Sequence, residues 1–256
     1  MRTVLYERKD GVSYIYLNRP DRYNALNVEA LQQLLLVVEE VGQNEDQVVI
    51  LAGKGKAFCA GGDIGMMNDW ADEANFGGVM DTISNVMMKL YEMPKIIISA
   101  IQGSAAGLGL SLALAADYVI AENKAKLGML FLGVGLAPDG GGHFWLKERL
   151  GVPQAKQFIW NMEQVTGEEA KQMGLIDFST EQQAVAFAEH LAKKMKQSPI
   201  TSMIQTKSMY HREGKEQLQY YLNEEKKTQW LLCHTADHRE GVQAFLEKRS
   251  PVFIGK

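Results

Sequence analysis

"KIIISAIQGSAAGLGLSLALAADYVIAE", residues 95–122, decides the fold. Residues 96–116 carry no charge and form a run long enough to cross a bilayer. The run contains a β-branched part over 96–101, then a Gly-Ser turn, then a helix-like part over 106–117. A buried strand that leads into a buried helix explains this order better than a membrane span. Another apolar strand is predicted over 118–122, so the stretch predicts one strand–helix–strand unit.

The same alternation extends to both sides of this unit. Strands are predicted over 13–18, 47–53 and 125–130, and helices over 28–41 and 65–92, the latter broken near Gly77-Gly78. From residue 140 onward the pattern is helical. The further predicted helices cover 140–151, 153–161, 166–174, 180–197, 198–214 and about 215–233. Strands that alternate with helices imply βαβ crossovers and a largely parallel sheet.

Composition and length narrow the class of protein. A chain of 256 residues fits one large domain or a domain with a small appendage, and we expect an α/β core over 1–195 and a C-terminal helical subdomain over 196–256. A net charge of −4 disfavours a nucleic-acid binder. Cys59 and Cys233 show no metal-binding spacing and are expected to be reduced thiols. The first residues lack a signal-peptide core, so we expect a cytoplasmic protein.

Two glycine-containing loops are candidates for binding an oxyanion. "AGGDI" (60–64) and "GSAAGLG" (103–109) each follow a predicted strand, and the second opens a helix whose first N–H groups lack internal partners. Such a group and the N–H of Gly62, converging on one oxygen, would form an oxyanion hole. Alternatively, the glycines only allow tight turns. Neither loop matches a nucleotide-binding glycine motif, and the nucleophile motif G-x-S-x-G is absent from the chain.

A lone acid, Asp139, lies in "GLAPDGGG" (135–142). One interpretation is that its side chain caps the helix that begins after these glycines. The other is that the carboxylate faces a ligand. Nearby His143 is expected to be a first-turn helix residue and not a base, because no Ser or Cys stands at an obvious nucleophile position beside it.

Together these segments resemble a known family. "LNRPDRYNALN", "AFCAGGDI", "GSAAGLGLSLALAADYVIA", "LGVGLAPDGGG" and the ending "DHREGVQAFLEKRSPVFIGK" occur in the order found in the crotonase superfamily, the enoyl-CoA hydratase/isomerase family. The resemblance covers essentially the whole chain. It implies an α/β spiral core of repeated ββα units, a C-terminal helical trimerisation subdomain, and homotrimers or dimers of trimers. It also implies acyl-CoA thioester substrates and no cofactor beyond the coenzyme A that the substrate carries.

The resemblance also assigns binding roles. The N–H groups of Gly62 and Leu108 would hold the thioester oxygen. Arg22 is either a phosphate contact or a solvated loop arginine. Phe245 and Lys248 would line the site, often from a neighbouring subunit. The full set of implied coenzyme A contacts is Arg22, Ala25, Ala60, Asp63, Ile64, Phe245 and Lys248.

Hydratases of this family use two glutamates, and this chain has Ser111 and Phe131 at the corresponding positions. Neither side chain can take their place as a general base unaided. Asp139 has the offset of the carboxylate in dienoyl-CoA isomerases and in the ring-opening isomerase of phenylacetate degradation. Leu130 and Phe131 would make its pocket apolar and raise the pKa of Asp139, whereas the following helix N-terminus would lower it. The sequence leaves this balance open.

Three functions therefore compete. The favoured one is an acyl-CoA double-bond isomerase with Asp139 as the single acid/base. The second is an enoyl-CoA hydratase in which Asp139 works with a bound water. The third is a non-catalytic acyl-CoA-binding subunit, and other crotonase reactions such as decarboxylation or thioester hydrolysis are less favoured. Beside these functional residues, we expect structural roles for the side chains of Asp63 and Asp117 and for several methionines. These methionines are Met66, Met67, Met87, Met88 and Met129.

Overall fold

The structure, a computed structural model, describes residues 2–65 and 72–256. Its strands are β1 (Val4–Lys9), β2 (Val12–Leu17), β3 (Val48–Gly53), β4 (Ile96–Ile101), β5 (Ser104–Ala106), β6 (Tyr118–Glu122), β7 (Lys126–Gly128), β8 (Gln164–Thr166) and β9 (Phe178–Thr180). Its helices are α1 (Val28–Gln43), α2 (Glu73–Glu92), α3 (Leu108–Leu114), α4 (Gly142–Trp160), α5 (Gly167–Gln172), α6 (Ala184–Lys196), α7 (Ile200–Leu232) and α8 (Ala236–Glu247). Short 3-10 helices cover Pro20–Arg22 and Leu130–Val134. Strands and helices thus alternate up to β9, and helices alone follow.

The strands form two sheets in the described part of the chain. The larger has the order β1-β2-β3-β4-β6-β9, in which β1 pairs with β2 antiparallel and the other neighbours pair in parallel. The smaller has the order β5-β7-β8, with a parallel and then an antiparallel pair. The predicted α/β class with a largely parallel sheet is confirmed.

The centre of the larger sheet is buried on both faces. Every residue of β3 and β4 is buried. Val49 and Leu51 pack on the side of α1, α2 and α3, whereas Val48 and Ile50 pack on the side of α6. Burial on both faces explains why these strands are runs of apolar residues without alternation. Residues 96–116 therefore form β4, β5 and α3, and no described helix is long and apolar enough to cross a membrane.

Two helix predictions are wrong in detail. The segments 198–214 and 215–233 form the single helix α7, and a Cβ at Gly214 would collide with the hydroxyl of Tyr91 where α7 crosses α2. Gly214 therefore permits close packing and does not end the helix. Helix α2 likewise continues through Gly77-Gly78. Burial of its apolar face outweighs the helix-propensity penalty of about 1 kcal/mol for each glycine.

The start of the helix predicted over 65–92 lies partly outside the described residues, together with Met66 and Met67. Met87, Met88 and Met129 are buried in the core, as expected. The predicted division between 195 and 196 falls at the end of α6 and stays a prediction. Helix α7 returns to the core and packs against α2 and α4. This return brings C-terminal residues to the centre of the molecule.

Candidate active site

The two glycine-containing loops are joined by backbone hydrogen bonds. The Ala106 N–H donates to the Cys59 carbonyl at 3.0 Å, and the Cys59 N–H donates to the Ser104 carbonyl at 3.1 Å. A Cβ at Gly109 would lie 2.5 Å from the Cys59 carbonyl oxygen, so only glycine permits this approach of α3 to the first loop. The loops are therefore held in register, with the fully buried Cys59 between them.

This junction brings together the two segments that carry the predicted oxyanion donors. Gly62 lies opposite Leu26 in a parallel bridge, whose hydrogen bonds use the Gly61 carbonyl and the Asp63 N–H. The N–H of Gly62 consequently points away from Leu26. Leu108 begins α3, so its N–H has no acceptor within the helix. A Cβ at Gly61 would be 3.7 Å from the Leu108 nitrogen. The two N–H groups thus belong to loop segments in contact, as an oxyanion hole requires.

An aromatic ring lies against the start of α3. A Cβ at Gly107 would lie 3.5 Å from the Phe131 ring, and Phe131 is buried whereas the adjacent Leu130 is half-buried. Both belong to the 3-10 helix before the Asp139 turn. Phe131 therefore gives the start of α3 an apolar neighbour and contributes no acid or base there. That Leu130 and Phe131 line the pocket of Asp139 stays a prediction.

The turn that carries Asp139 is tied to α3 and α4. The Ser111 hydroxyl donates to the Asp139 backbone carbonyl at 2.7 Å, and the indole N–H of Trp145 donates to the Gly140 carbonyl at 2.9 Å. Gly140 and Gly141 both adopt left-handed conformations, with φ of 62° and 76°. Side chains rarely tolerate two such positions in succession, which explains the glycines after Asp139.

The Asp139 carboxyl is buried and incompletely hydrogen-bonded. The residue is 4% exposed, and its Oδ2 accepts a hydrogen bond from Gln229 Nε2 at 3.1 Å. Its Oδ1 is buried without a partner among the described residues. Burial raises the pKa of Asp139 from 3.8 to about 7; the charge of Glu225 also raises it, and the Gln229 hydrogen bond opposes them. The carboxyl is thus poised to exchange a proton near neutral pH.

The N-cap interpretation of Asp139 is wrong. The N-cap residue of α4 is Gly141, and Asp139 contributes no side-chain cap. Glu225 of α7 supplies the cap instead: its Oε2 accepts from the Gly141 N–H at 2.7 Å and its Oε1 from the His143 N–H at 3.2 Å. His143 Nδ1 lies 2.8 Å from the same Oε1. His143 is a first-turn residue as predicted, and the helix end does not lower the pKa of Asp139 through a direct hydrogen bond.

Sequence comparison identifies the family. The profile described as enoyl-CoA hydratase/isomerase matches residues 7–256. The chain belongs to the enoyl-CoA hydratase/isomerase family.

Individual members of this family resemble the chain over its whole length. A Bacillus subtilis strain 168 protein with the same hydratase/isomerase description is 45% identical over 253 residues, covering 99% of each chain. The 1,2-epoxyphenylacetyl-CoA isomerase of Escherichia coli K12 is 34% identical over 261 residues, covering 100% of each. The crystal structure of an enoyl-CoA hydratase from Mycobacterium avium subsp. paratuberculosis K-10 superimposes with a TM-score of 0.89 at 26% identity, covering 98% of each chain. The predicted crotonase-type fold is confirmed, and both isomerases and hydratases occur among its relatives.

The coenzyme A contacts that the enoyl-CoA hydratase/isomerase family implies near the first loop lie in adjoining segments. Arg19, which the sequence analysis did not single out, joins them: its Nη1 donates to the Ala25 carbonyl at 2.5 Å and to Asp63 Oδ2 at 2.9 Å. The Asp63 side chain is therefore structural, as expected. Arg22 and Ala60 are exposed. Ile64 is half-buried beside Asp63.

The remaining candidates belong to other elements. Phe245, 60% exposed, belongs to α8, and the exposed Lys248 ends that helix with φ of 57°. Their role in coenzyme A binding stays a prediction. Asp117 accepts from the Ile97 N–H and from Lys207 Nζ, both at 2.8 Å, so it has the expected structural role.

Proposed function

We propose that this protein is an acyl-CoA double-bond isomerase in which Asp139 is the single acid/base. The observation that carries the proposal is the buried Asp139 carboxyl, which has one oxygen without a partner within residues 2–65 and 72–256 and a pKa of about 7. A base that must both remove and return a proton works best when its pKa is close to the operating pH. The substrate is an enolisable acyl-CoA thioester, and coenzyme A enters only as part of it.

The proposed reaction moves one proton and one double bond. The Asp139 carboxylate removes a proton from the α-carbon of a 3-enoyl thioester, and the electron pair moves onto the thioester oxygen as an extended enolate. The N–H groups of Gly62 and Leu108 stabilise that oxygen as its charge grows. The protonated Asp139 then delivers the same proton to the γ-carbon, which produces the conjugated 2-enoyl thioester. No water is consumed, so one carboxyl suffices.

Three contacts favour isomerisation over hydration. The Ser111 hydroxyl is used by the Asp139 carbonyl, and Phe131 provides only an apolar ring. Glu225, the other buried carboxylate near the turn, is engaged by two backbone N–H groups and by His143. A hydratase needs a second group to activate water, and these three side chains do not supply one.

Hydration is the second candidate, and one observation favours it. Asp139 Oδ1 and Gln229 Oε1 are both buried without a partner among the described residues. Two such acceptors on hydrogen-bonded neighbours can hold a water molecule. In that case Asp139 would activate the water for addition to a 2-enoyl-CoA.

Replacing Asp139 with Asn tests the proposal, because the amide preserves shape but does not accept a proton. Turnover of a 3-enoyl- or dienoyl-CoA is expected to fall by about 10²–10⁴-fold. Binding of an unreactive acyl-CoA, measured by calorimetry, is expected to persist.

Full activity of the Asp139→Asn variant would overturn the assignment. If the unchanged protein hydrates crotonyl-CoA, measured as loss of its absorbance, faster than it shifts the double bond of any substrate tested, the hydratase is favoured instead. Binding without turnover across a panel of 2-enoyl-, 3-enoyl- and dienoyl-CoA thioesters would leave the non-catalytic role.

We also propose a homotrimer or a dimer of trimers, in which Phe245 and Lys248 reach the coenzyme A of a neighbouring subunit and Arg22 contacts its phosphates. The exposed apolar residues of the C-terminal region support an interface there. These are Leu231, Phe245, Leu246, Val252, Phe253 and Ile254.

A further inference from the structure

Two residues of α7 reach the Asp139 turn from far along the chain. Glu225 and Gln229 are four positions apart, so they lie on the same face of the helix. They are 3% and 0% exposed. Glu225 binds the start of α4, and Gln229 binds the Asp139 carboxyl. One helix face therefore contacts both the acid and the backbone that follows it.

The Glu225 contact changes what Asp139 is free to do. Asp139 immediately precedes a glycine-rich helix start, where an aspartate side chain ordinarily folds back onto N–H groups. The Glu225 carboxylate already occupies the Gly141 and His143 N–H groups. With these donors occupied, the Asp139 carboxyl is not drawn into the helix cap.

We propose that Glu225 and Gln229 are positioning residues: Glu225 occupies the helix cap that Asp139 would otherwise take, and Gln229 holds the Asp139 carboxyl in both of its protonation states. This inference rests on the proposed function of Asp139.

The charged groups around the Asp139 turn show how Glu225 also affects the pKa of Asp139. From α7, the Glu225 carboxylate raises the pKa of Asp139; from α4, His143 Nδ1 contacts that same Glu225 carboxylate. The three side chains nearest to a Cβ built at Gly140 come from α2 and α3 and carry no charge; they are Met87, Leu108 and Ser111. Glu225 is thus the charged neighbour that makes proton release harder, in addition to burial.

The Gln229 amide suits an acid that changes its protonation state. It offers both a donor and an acceptor, and the acceptor Oε1 has no partner among the described residues. The Nε2 group donates to the Asp139 carboxylate, as the structure shows. After proton uptake, rotation of the amide lets Oε1 accept from the carboxyl O–H. The Asp139 carboxyl therefore keeps its orientation both before and after it takes up the proton.

Opposite charge changes on α7 test the inference. Glu225→Gln removes a negative charge and keeps the shape, so the Asp139 titration is expected to move to lower pH by about one unit. Gln229→Glu adds a carboxyl beside Asp139, so that titration is expected to move up by about one unit. The control Glu224→Gln changes a charge on the same helix at a residue that pairs with Lys227, and no shift is expected.

The readout is the carboxyl ¹³C signal of labelled aspartate, assigned to Asp139 by its absence from the Asp139→Asn variant. It needs no turnover. The rate–pH profile of each variant is expected to shift in the same direction, and thermal unfolding checks that each variant is folded. The inference is overturned if Asp139 titrates in folded Glu225→Gln and Gln229→Glu as it does in the Glu224→Gln control. In that case an inactive Asp139→Asn variant would still uphold the proposed function. An active Asp139→Asn would overturn the proposed function and, with it, the positioning role.

Discussion

Asp139 is an acid that the folded chain keeps protonated more readily than the unfolded chain does. Its pKa is about 7 when folded, against an ordinary value of 3.8. Below about pH 3.8 both states hold the proton, and the group does not affect stability. Between pH 3.8 and 7 the unfolded chain releases its proton first, so stability falls as the pH rises. Above pH 7 both states are ionised and the destabilisation is complete.

The Asp139→Asn variant is therefore expected to be more stable than the parent at neutral and alkaline pH. The gain in the free energy of unfolding should be about 2–4 kcal/mol at pH 8 and roughly two-fifths of that at pH 5, because each unit of pKa difference corresponds to ~1.4 kcal/mol. Urea unfolding at the two pH values measures it. Asp21→Asn, at an exposed site, serves as the control. An equal gain for Asp139→Asn at both pH values would contradict the raised pKa.

At the scale of elements, the proposed oxyanion hole depends on the distance between a loop and a helix. Gly109 is one residue after Leu108, and its Cα faces the Cys59 carbonyl without room for a side chain. The same region of the loop is bridged to β5 through Ala105. Any atom added at Gly109 consequently separates the segment that carries the Gly62 N–H from the one that carries the Leu108 N–H.

Gly109→Ala is expected to lower kcat by about 100-fold, the effect of moving a reacting group by roughly 1 Å. Gly78→Ala is the matched control, because Gly78 also lies in a helix but a Cβ there meets nothing within 4 Å. That variant should keep its activity and gain about 0.5–1 kcal/mol in unfolding free energy. Steady-state kinetics and urea unfolding of both variants measure these effects. Comparable kcat values for the two would show that the approach of α3 to Cys59 is unimportant.

Elements with strong periodicity could be predicted from sequence, and short or edge elements could not. The predicted helix over 28–41 and strands over 47–53 and 96–101 match α1, β3 and β4 closely, since the helix shows an apolar face and the strands are short apolar runs. Strand β1 was missed because it is an edge strand, largely exposed, with charged residues at its end. The three-residue strands β5, β8 and β9 are too short to show a period. Gly214 and Gly77-Gly78 misled the helix predictions because packing outweighed local propensity.

At the scale of the whole molecule, α7 supplies the side chains that contact Asp139 and the start of α4. It contains 33 residues and so runs for about 50 Å, which carries its C-terminal third back over α2 and α4. Asp139 and the loop glycines could be named as candidate site residues from sequence because their motifs occur together in the order typical of the enoyl-CoA hydratase/isomerase family. Glu225 and Gln229 could not, since Glu and Gln are common on any exposed helix and their partners lie more than 80 residues earlier.

The C-terminal region also leads to a prediction about assembly. If its exposed apolar side chains are covered by a neighbouring subunit, light scattering should give the mass of three or six copies of the 28.6 kDa chain. Leu246 and Ile254, 57% and 65% exposed, would then lie in an apolar contact, and changing both to Asp should give monomers. Leu36→Asp, at a similarly exposed residue of α1, should leave the mass unchanged. A parent protein that is monomeric at micromolar concentration would contradict the proposal.

The dependence of Asp139 on α7 has a consequence for synthesis of the chain. A ribosome releases the loops, the glycine turn and Asp139 long before residues 225 and 229 emerge. Until then α4 lacks the Glu225 carboxylate that caps it, and Asp139, which directly precedes the glycines at the start of α4, is free to bind the exposed N–H groups. The proposed acid/base therefore takes up its working position only after residue 229 has left the ribosome and α7 has docked on the core.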